Sequence, residues 1–132
     1  YGVSSRASEK IGPGTVYTFA VGGKAALPEF AQYKLNALLS GVKYDPKDVP
    51  EGQGLYVASC VLCHGVPGVD RGGNIPNLGY ARAEVINNLE SYVFGGAAKE
   101  RGMPDFTGRL KPEDIPKLKA FIQGIPDAIR PK

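Results

Sequence analysis

The sequence predicts a mainly α-helical domain of about three helices, preceded by an extended or strand segment. Three observations carry this. Apolar residues repeat at helical spacing in three separate stretches after residue 48. Glycine and proline, 18 and 11 of the 132 residues, gather between those stretches and mark long loops. The one run that reads as a strand, Val16 to Val21, has no second run to pair with. Length suits one compact domain, and 42% hydrophobic with 22% charged residues describes a globular chain. There is no run of about 18 apolar residues, so no membrane span is expected. The net charge of +3 is mild, with basic residues interspersed among acids. That makes no case for nucleic acid and is compatible with docking to an acidic protein surface. The opening "YGVSSRASEKIGPG" lacks the apolar centre of a signal peptide, so any export signal is expected upstream or already removed.

Residues 1–28 hold the run Val16 to Val21, ended by Gly22-Gly23. It is apolar on both faces and wants neighbours on both. The expectation is a strand cut from a larger sheet; the alternative is an ordered extension folded over the rest of the chain. Residues 29–47 form a connector with a turn signal at Asp45-Pro46. Residues 48–132 carry the helices. In "DVPEGQGLYVASCVLCHG", Asp48 is a candidate cap, Pro50 sits in the first turn, and Glu51 suits the helix dipole. In "ARAEVINNLESYVFGG", Val85, Ile86, Leu89, Tyr92 and Val93 repeat at helical spacing and Gly95-Gly96 stops them. In "KPEDIPKLKAFIQGIP", Ile115, Leu118, Phe121 and Ile122 make the stripe, with Gly124 and Pro126 as expected terminators. Pro116 predicts an irregular start.

The first helix ends in "CVLCHG", which holds both cysteines, Cys60 and Cys63, and the only histidine, His64. Four chemistries use such a cluster. Structural zinc needs four protein ligands, and only three soft or imidazole candidates exist. A thioredoxin-like pair sits after a strand in a βαβ unit, which this sequence lacks. A disulfide across two residues closes a tiny loop and stabilises little. Covalent haem uses all three residues: each thiol adds to one vinyl group, and the adjacent imidazole reaches the iron. A haem bound by one histidine has a sixth position to fill. The only methionine, Met103, lies in the long loop "ERGMPDFTG" between Gly102 and Pro104, away from any apolar stripe. Core filler is the ordinary role of a lone methionine. Its polar setting favours an axial thioether, which stabilises ferrous iron and raises the potential.

With these residues in view, the chain resembles a small monohaem cytochrome c domain over residues 48 to about 125. Gly52 and Tyr56 stand eight and four residues before Cys60. Phe121, with Leu118 one turn earlier, matches the aromatic of the last helix. Pro76-Asn77-Leu78 matches the family's loop after the haem motif. The resemblance implies that the Pro76 carbonyl accepts a bond from His64, that Leu78 lines the haem, and that His64 and Met103 bind the iron. A second resemblance runs through "VYTFAVGGKAALP", the connector, the CxxCH motif and "GMPDF". It is to the end of the β-propeller and the following cytochrome c domain of quinohaemoprotein alcohol dehydrogenases. The fold it implies is a cytochrome c domain around covalent haem, with an N-terminal segment left over from the propeller.

The implied function is electron transfer from a pyrroloquinoline quinone (PQQ) domain to an external acceptor: a small copper protein, another cytochrome, or membrane quinone. PQQ and calcium belong to the absent parent domain, and haem c to this one. Haem attachment in that family places the protein in the periplasm. Arg71 is a candidate neighbour of a haem propionate, with a solvated loop residue as the alternative. Lys99, Arg101 and Arg109 flank the methionine loop, where ordinary solvation is preferred to a docking rim. Two rival readings stand beside this one. One is a free-standing soluble cytochrome. The other is an open-site haem enzyme or gas sensor, for which no distal histidine remains.

Overall fold

A computed structural model describes residues 18–26, 36–69 and 75–131. The chain is helical there, as the sequence predicts, with no strand among the described residues and one isolated bridge, Thr107 to Leu110. Val16 and Tyr17 lie outside the described residues. Over Thr18 to Ala20 the expected strand is not formed, and Phe19 and Val21 are exposed. A strand needs a partner edge, and among the described residues there is no other strand to offer one.

The first predicted helix is two pieces, α1 (Val49–Ser59) and α2 (Val61–His64), broken at Cys60, whose φ of −123° leaves the helical region. Asp48 makes no capping bond. That task falls to Asp45, whose side chain accepts from Lys47 N at 3.0 Å and starts a 3-10 turn at Pro46–Asp48. The second predicted helix is also split, into α3 (Ala83–Asn87) and α4 (Leu89–Val93), with Asn88 between them. The third, α5 (Asp114–Ile129), begins later and ends later than the sequence suggests. Pro112 stays outside it. Pro116 falls in its first turn, where backbone N–H groups have no intrahelical partner to lose. Gly124 and Pro126 do not terminate it. Pro126 is buried inside the helix, and Arg130 N still bonds its carbonyl at 3.0 Å.

Helices α1 and α5 cross tightly at Gly52. A β-carbon there would stand 2.0 Å from the Lys117 carbonyl oxygen, so only glycine permits this approach. One turn on, Tyr56 packs against Phe121 with ring centroids 5.2 Å apart at 51°. Leu118, Ile122, Ile86, Leu89 and Val93 complete the core around this crossing. Lys117 on α5 pairs with Glu51 on α1 and ties the crossing from the solvent side.

From Asn36 onward the connector is packed against the helices. Leu39 and Val42 are 2% and 5% exposed and belong to the core. This segment lies against α5 and against the 3-10 turn Leu78–Tyr80, and it leads directly into the haem motif's own helix.

Candidate haem-binding site

The break at Cys60 shapes the site. Cys63 N and His64 N both donate to the Cys60 carbonyl, at 3.2 and 3.0 Å, so the CxxCH residues form one tight turn. Cys60 is half-buried, Cys63 exposed and His64 half-buried. Burial, and secondarily the neighbouring Cys63, push the Cys60 thiol up to about 11. It is therefore a neutral thiol near neutral pH, unlike the low-pKa thiolate of a redox pair. Among the described residues there is also no group of three or more His, Cys, Asp and Glu side chains placed to hold a metal.

His64 Nδ1 lies 2.7 Å from the Pro76 carbonyl oxygen. A carbonyl oxygen can only accept, so Nδ1 is the donor in this bond, and in the neutral imidazole that tautomer presents Nε2 to a metal. Pro76 is held through its neighbour Asn77. The buried Asn77 carboxamide accepts from Gly68 N at 2.9 Å and from Gly79 N at 2.8 Å, and donates to the Val66 carbonyl at 2.8 Å. Tyr80 Oη donates to the Gly68 carbonyl at 3.1 Å, and Tyr56 Oη to the Gly65 carbonyl at 2.9 Å. Residues 65–69 are thus sewn to the Pro76–Tyr80 loop. Gly79 meets Gly68 so closely that a β-carbon would lie 1.9 Å from the Gly68 nitrogen.

A cleft of about 640 Å³ opens beside His64. It is within the range of cofactor pockets. Cys63, His64, Leu78, Leu89, Met103 and Pro104 line it, and a smaller pocket of about 50 Å³ shares all six and adds Cys60. The fold brings Cys60, Cys63, His64, Leu78 and Met103 to the smaller pocket and bonds Pro76 to His64. The methionine loop is fixed at several points. Met103 N donates to Ala98 O at 3.2 Å, and Phe106 N to Val93 O at 2.9 Å. Asp105 accepts from the Thr107 hydroxyl at 2.6 Å and from its N–H at 2.8 Å, bonds that hold its carboxyl below the usual range. Arg101 also lines the cleft, whereas Lys99 and Arg109 are exposed and absent from its walls. Arg71 lies outside the described residues.

Two adjoining, mainly apolar pockets that between them hold two thiols, one oriented imidazole and one thioether fit a covalent haem. The thiols suit attachment and the imidazole and thioether suit iron. Sequence reading did not single out Asn77 as a tether or notice Gln123. Asn77 had a signal, an Asn two residues before a glycine, which marks a side-chain-to-backbone turn.

Comparison with known proteins gives the same picture. The family described as "Cytochrome C oxidase, cbb3-type, subunit III" matches residues 47–122. The 1-butanol dehydrogenase (cytochrome c) of Thauera butanivorans is 64% identical over all 132 residues of this chain. The quinohemoprotein alcohol dehydrogenase of Comamonas testosteroni is also 64% identical over the same span. The chain spans about a fifth of these relatives, 19% of each. The crystal structure of the Comamonas testosteroni enzyme superimposes with a TM-score of 0.81 at 65% identity, covering 93% of this chain and 18% of that one. With a haem motif, its tethered loop and the cleft they share all on one helical fold, the chain belongs to the cytochrome c family, in the form found as a domain of quinohaemoprotein alcohol dehydrogenases, and its cofactor is haem c.

Proposed function

We propose that this chain is the electron-transfer domain of a PQQ-dependent alcohol dehydrogenase. In this reading Cys60 and Cys63 would anchor the haem, His64 and Met103 would ligate its iron, and Leu78 would pack on it. The observation that carries the reading is the 2.7 Å bond from His64 to the Pro76 carbonyl, at the wall of a cleft that Met103 also lines. Haem c supplies a one-electron iron couple when bound. The chain's own residues supply everything else. Pro76 fixes the His64 tautomer and increases its basicity. The bonds across 98–107 restrain Met103, so neither ligand has to move far between oxidation states. The apolar walls limit water at the iron.

The names of the relatives support an alcohol dehydrogenase domain as electron donor, and in this reading that domain carries PQQ and calcium. The acceptor is a small copper protein, another cytochrome or membrane quinone, and the compartment is the periplasm. No helix among the described residues is long and apolar enough to cross a membrane. Residues 48–132 are assigned to the haem unit, 29–47 to the connector, and 1–28 to the end of the dehydrogenase part.

Optical spectra of the oxidised and reduced protein test the ligation. A weak near-infrared sulfur-to-iron band in the oxidised form, lost in Met103→Ala, is the expected result. Covalent haem without that band in the wild type overturns Met103 as ligand.

A further inference from the structure

Gln123 is the polar side chain of α5 that the core should not tolerate. It is 1% exposed, among apolar neighbours, on the helix that packs against the haem motif. A buried carboxamide is costly unless every polar atom has a partner. Here each has one. Its Oε1 accepts from Val42 N at 3.2 Å, and its Nε2 donates to the Leu39 carbonyl at 3.0 Å and to Asp127 Oδ1 at 2.8 Å. Two of these three bonds go to the connector. The same Leu39 carbonyl accepts from the Arg130 guanidinium, which also bonds Asp127 at 3.1 Å. The end of α5 therefore grips one peptide of the connector from two side chains.

The other face of that residue grips the haem loop. Leu39 N donates to the Gly79 carbonyl at 2.8 Å, and Asn36 Nδ2 donates to the Tyr80 carbonyl at 3.1 Å. Gly79 N in turn bonds Asn77, the residue after Pro76. A continuous path of hydrogen bonds and adjoining residues thus runs from Gln123 through Leu39, Gly79 and Asn77 to Pro76 and His64. Asn36 also lines the large cleft itself. The family match covers residues 47–122, so the two halves of this brace, segment 36–42 and Gln123, lie just outside it on either side.

We propose that the connector segment 36–42, clamped by Gln123, is a positioning element for the axial histidine. It presses the 76–80 loop into the place where the Pro76 carbonyl meets His64 Nδ1. Gln123, Leu39 and Asn36 act through that loop and touch neither the haem iron nor its ligands. The inference rests on His64 being a haem ligand.

The test is hydrogen exchange followed by NMR on the haem-loaded full chain. Covalent haem and an iron-bound His64 are first established on the wild type by the His64 ring resonances, so failure of the ligation reading shows itself before any variant is made. Gln123→Leu removes the clamp at nearly constant volume. The expected result is at least tenfold faster exchange of the Leu39 amide together with at least tenfold faster exchange of the His64 Nδ1 proton. Ile115→Val, which weakens the start of α5 far from the brace, leaves the His64 proton at its wild-type rate. Should Gln123→Leu fail to fold, Asn36→Ala removes one exposed bond of the brace and is read in the same way. Faster exchange at Leu39 with an unchanged His64 proton overturns the proposal and leaves the brace a purely structural element. So does faster His64 exchange in Ile115→Val to the same degree.

Discussion

A methyl group added at residue 52 sets two opposing effects against each other. Gly52 lies inside α1, where alanine is favoured over glycine by about 1 kcal/mol of helix propensity. The new β-carbon, however, stands 2.0 Å from Lys117 O, 2.7 Å from Lys117 C and 3.1 Å from Phe121 Cβ. Ordinary contact starts at 3.4 Å, so α1 must retreat by 1.4 Å from the α5 backbone, the difference between those two distances. Two of the three obstacles are backbone atoms, which cannot rotate away. Overpacking of this kind costs about 3 kcal/mol, the upper part of its usual range. The net expectation for Gly52→Ala is a loss of about 2 kcal/mol. Gly54 provides the control: it lies in the same helix, and a β-carbon there meets nothing within 4 Å. Gly54→Ala should gain about 1 kcal/mol from the same propensity. Guanidinium unfolding of the haem-loaded protein, followed by far-ultraviolet dichroism and haem absorbance, should therefore separate the two variants by about 3 kcal/mol. If Gly52→Ala matches Gly54→Ala, the close helix crossing is not what requires glycine, and the packing argument fails.

Asn77→Ala leaves the buried N–H groups of Gly68 and Gly79 without their partner and takes one of the bonds from the Val66 carbonyl. It should cost about 3 kcal/mol by denaturant unfolding, and a loss under about 1 kcal/mol would mean that the loop closes up without the carboxamide. Tyr56→Phe keeps the ring contact with Phe121 and deletes the bond to Gly65 O, for an expected loss of about 1 kcal/mol in the same assay. Met103→Ala should open the reduced haem to carbon monoxide near neutral pH, whereas the wild type should bind it poorly; strong binding by the wild type counts against thioether ligation. The bond to Glu51 holds the Lys117 ammonium above its ordinary value of 10.5. Because the folded value is raised, this stabilisation is complete below pH 10.5 and disappears as pH climbs through the raised value. A Lys117→Gln variant should show a flatter alkaline loss of stability, and identical alkaline curves would remove the pair from the account.

The haem chemistry was legible because it depends on a few residue types at fixed spacing. Two thiols, one imidazole and one thioether leave little choice of cofactor, and the residues quoted from the sequence meet at one cleft. Helix ends were harder to read. Pro126 and Gly124 look like terminators because the cost of proline inside a helix is local and visible in sequence. What outweighs it is tertiary: the buried side of α5 continues past Gly124 to Pro126 itself, packed near Gly68. The breaks at Cys60 and Asn88 went unseen for a related reason, since a helix interrupted for one residue keeps its apolar spacing on either side. Gln123 and the connector were missed together. Each looks unremarkable alone, a polar residue in a helix and an irregular stretch, and only their pairing across more than eighty residues gives either one a purpose.

Leu39 and Val42 stand ahead of residue 47, where the family match starts, and yet they are core side chains. This bears on how such a domain can be transplanted. A gene fusion that borrowed only the matched stretch would carry the haem motif and its methionine and still arrive incomplete. It would lack two apolar core side chains, Leu39 and Val42, and would stop one residue short of Gln123, the carboxamide that clamps their backbone. The portable redox cassette begins no later than Asn36, and a graft cut there should express and mature where the shorter one aggregates.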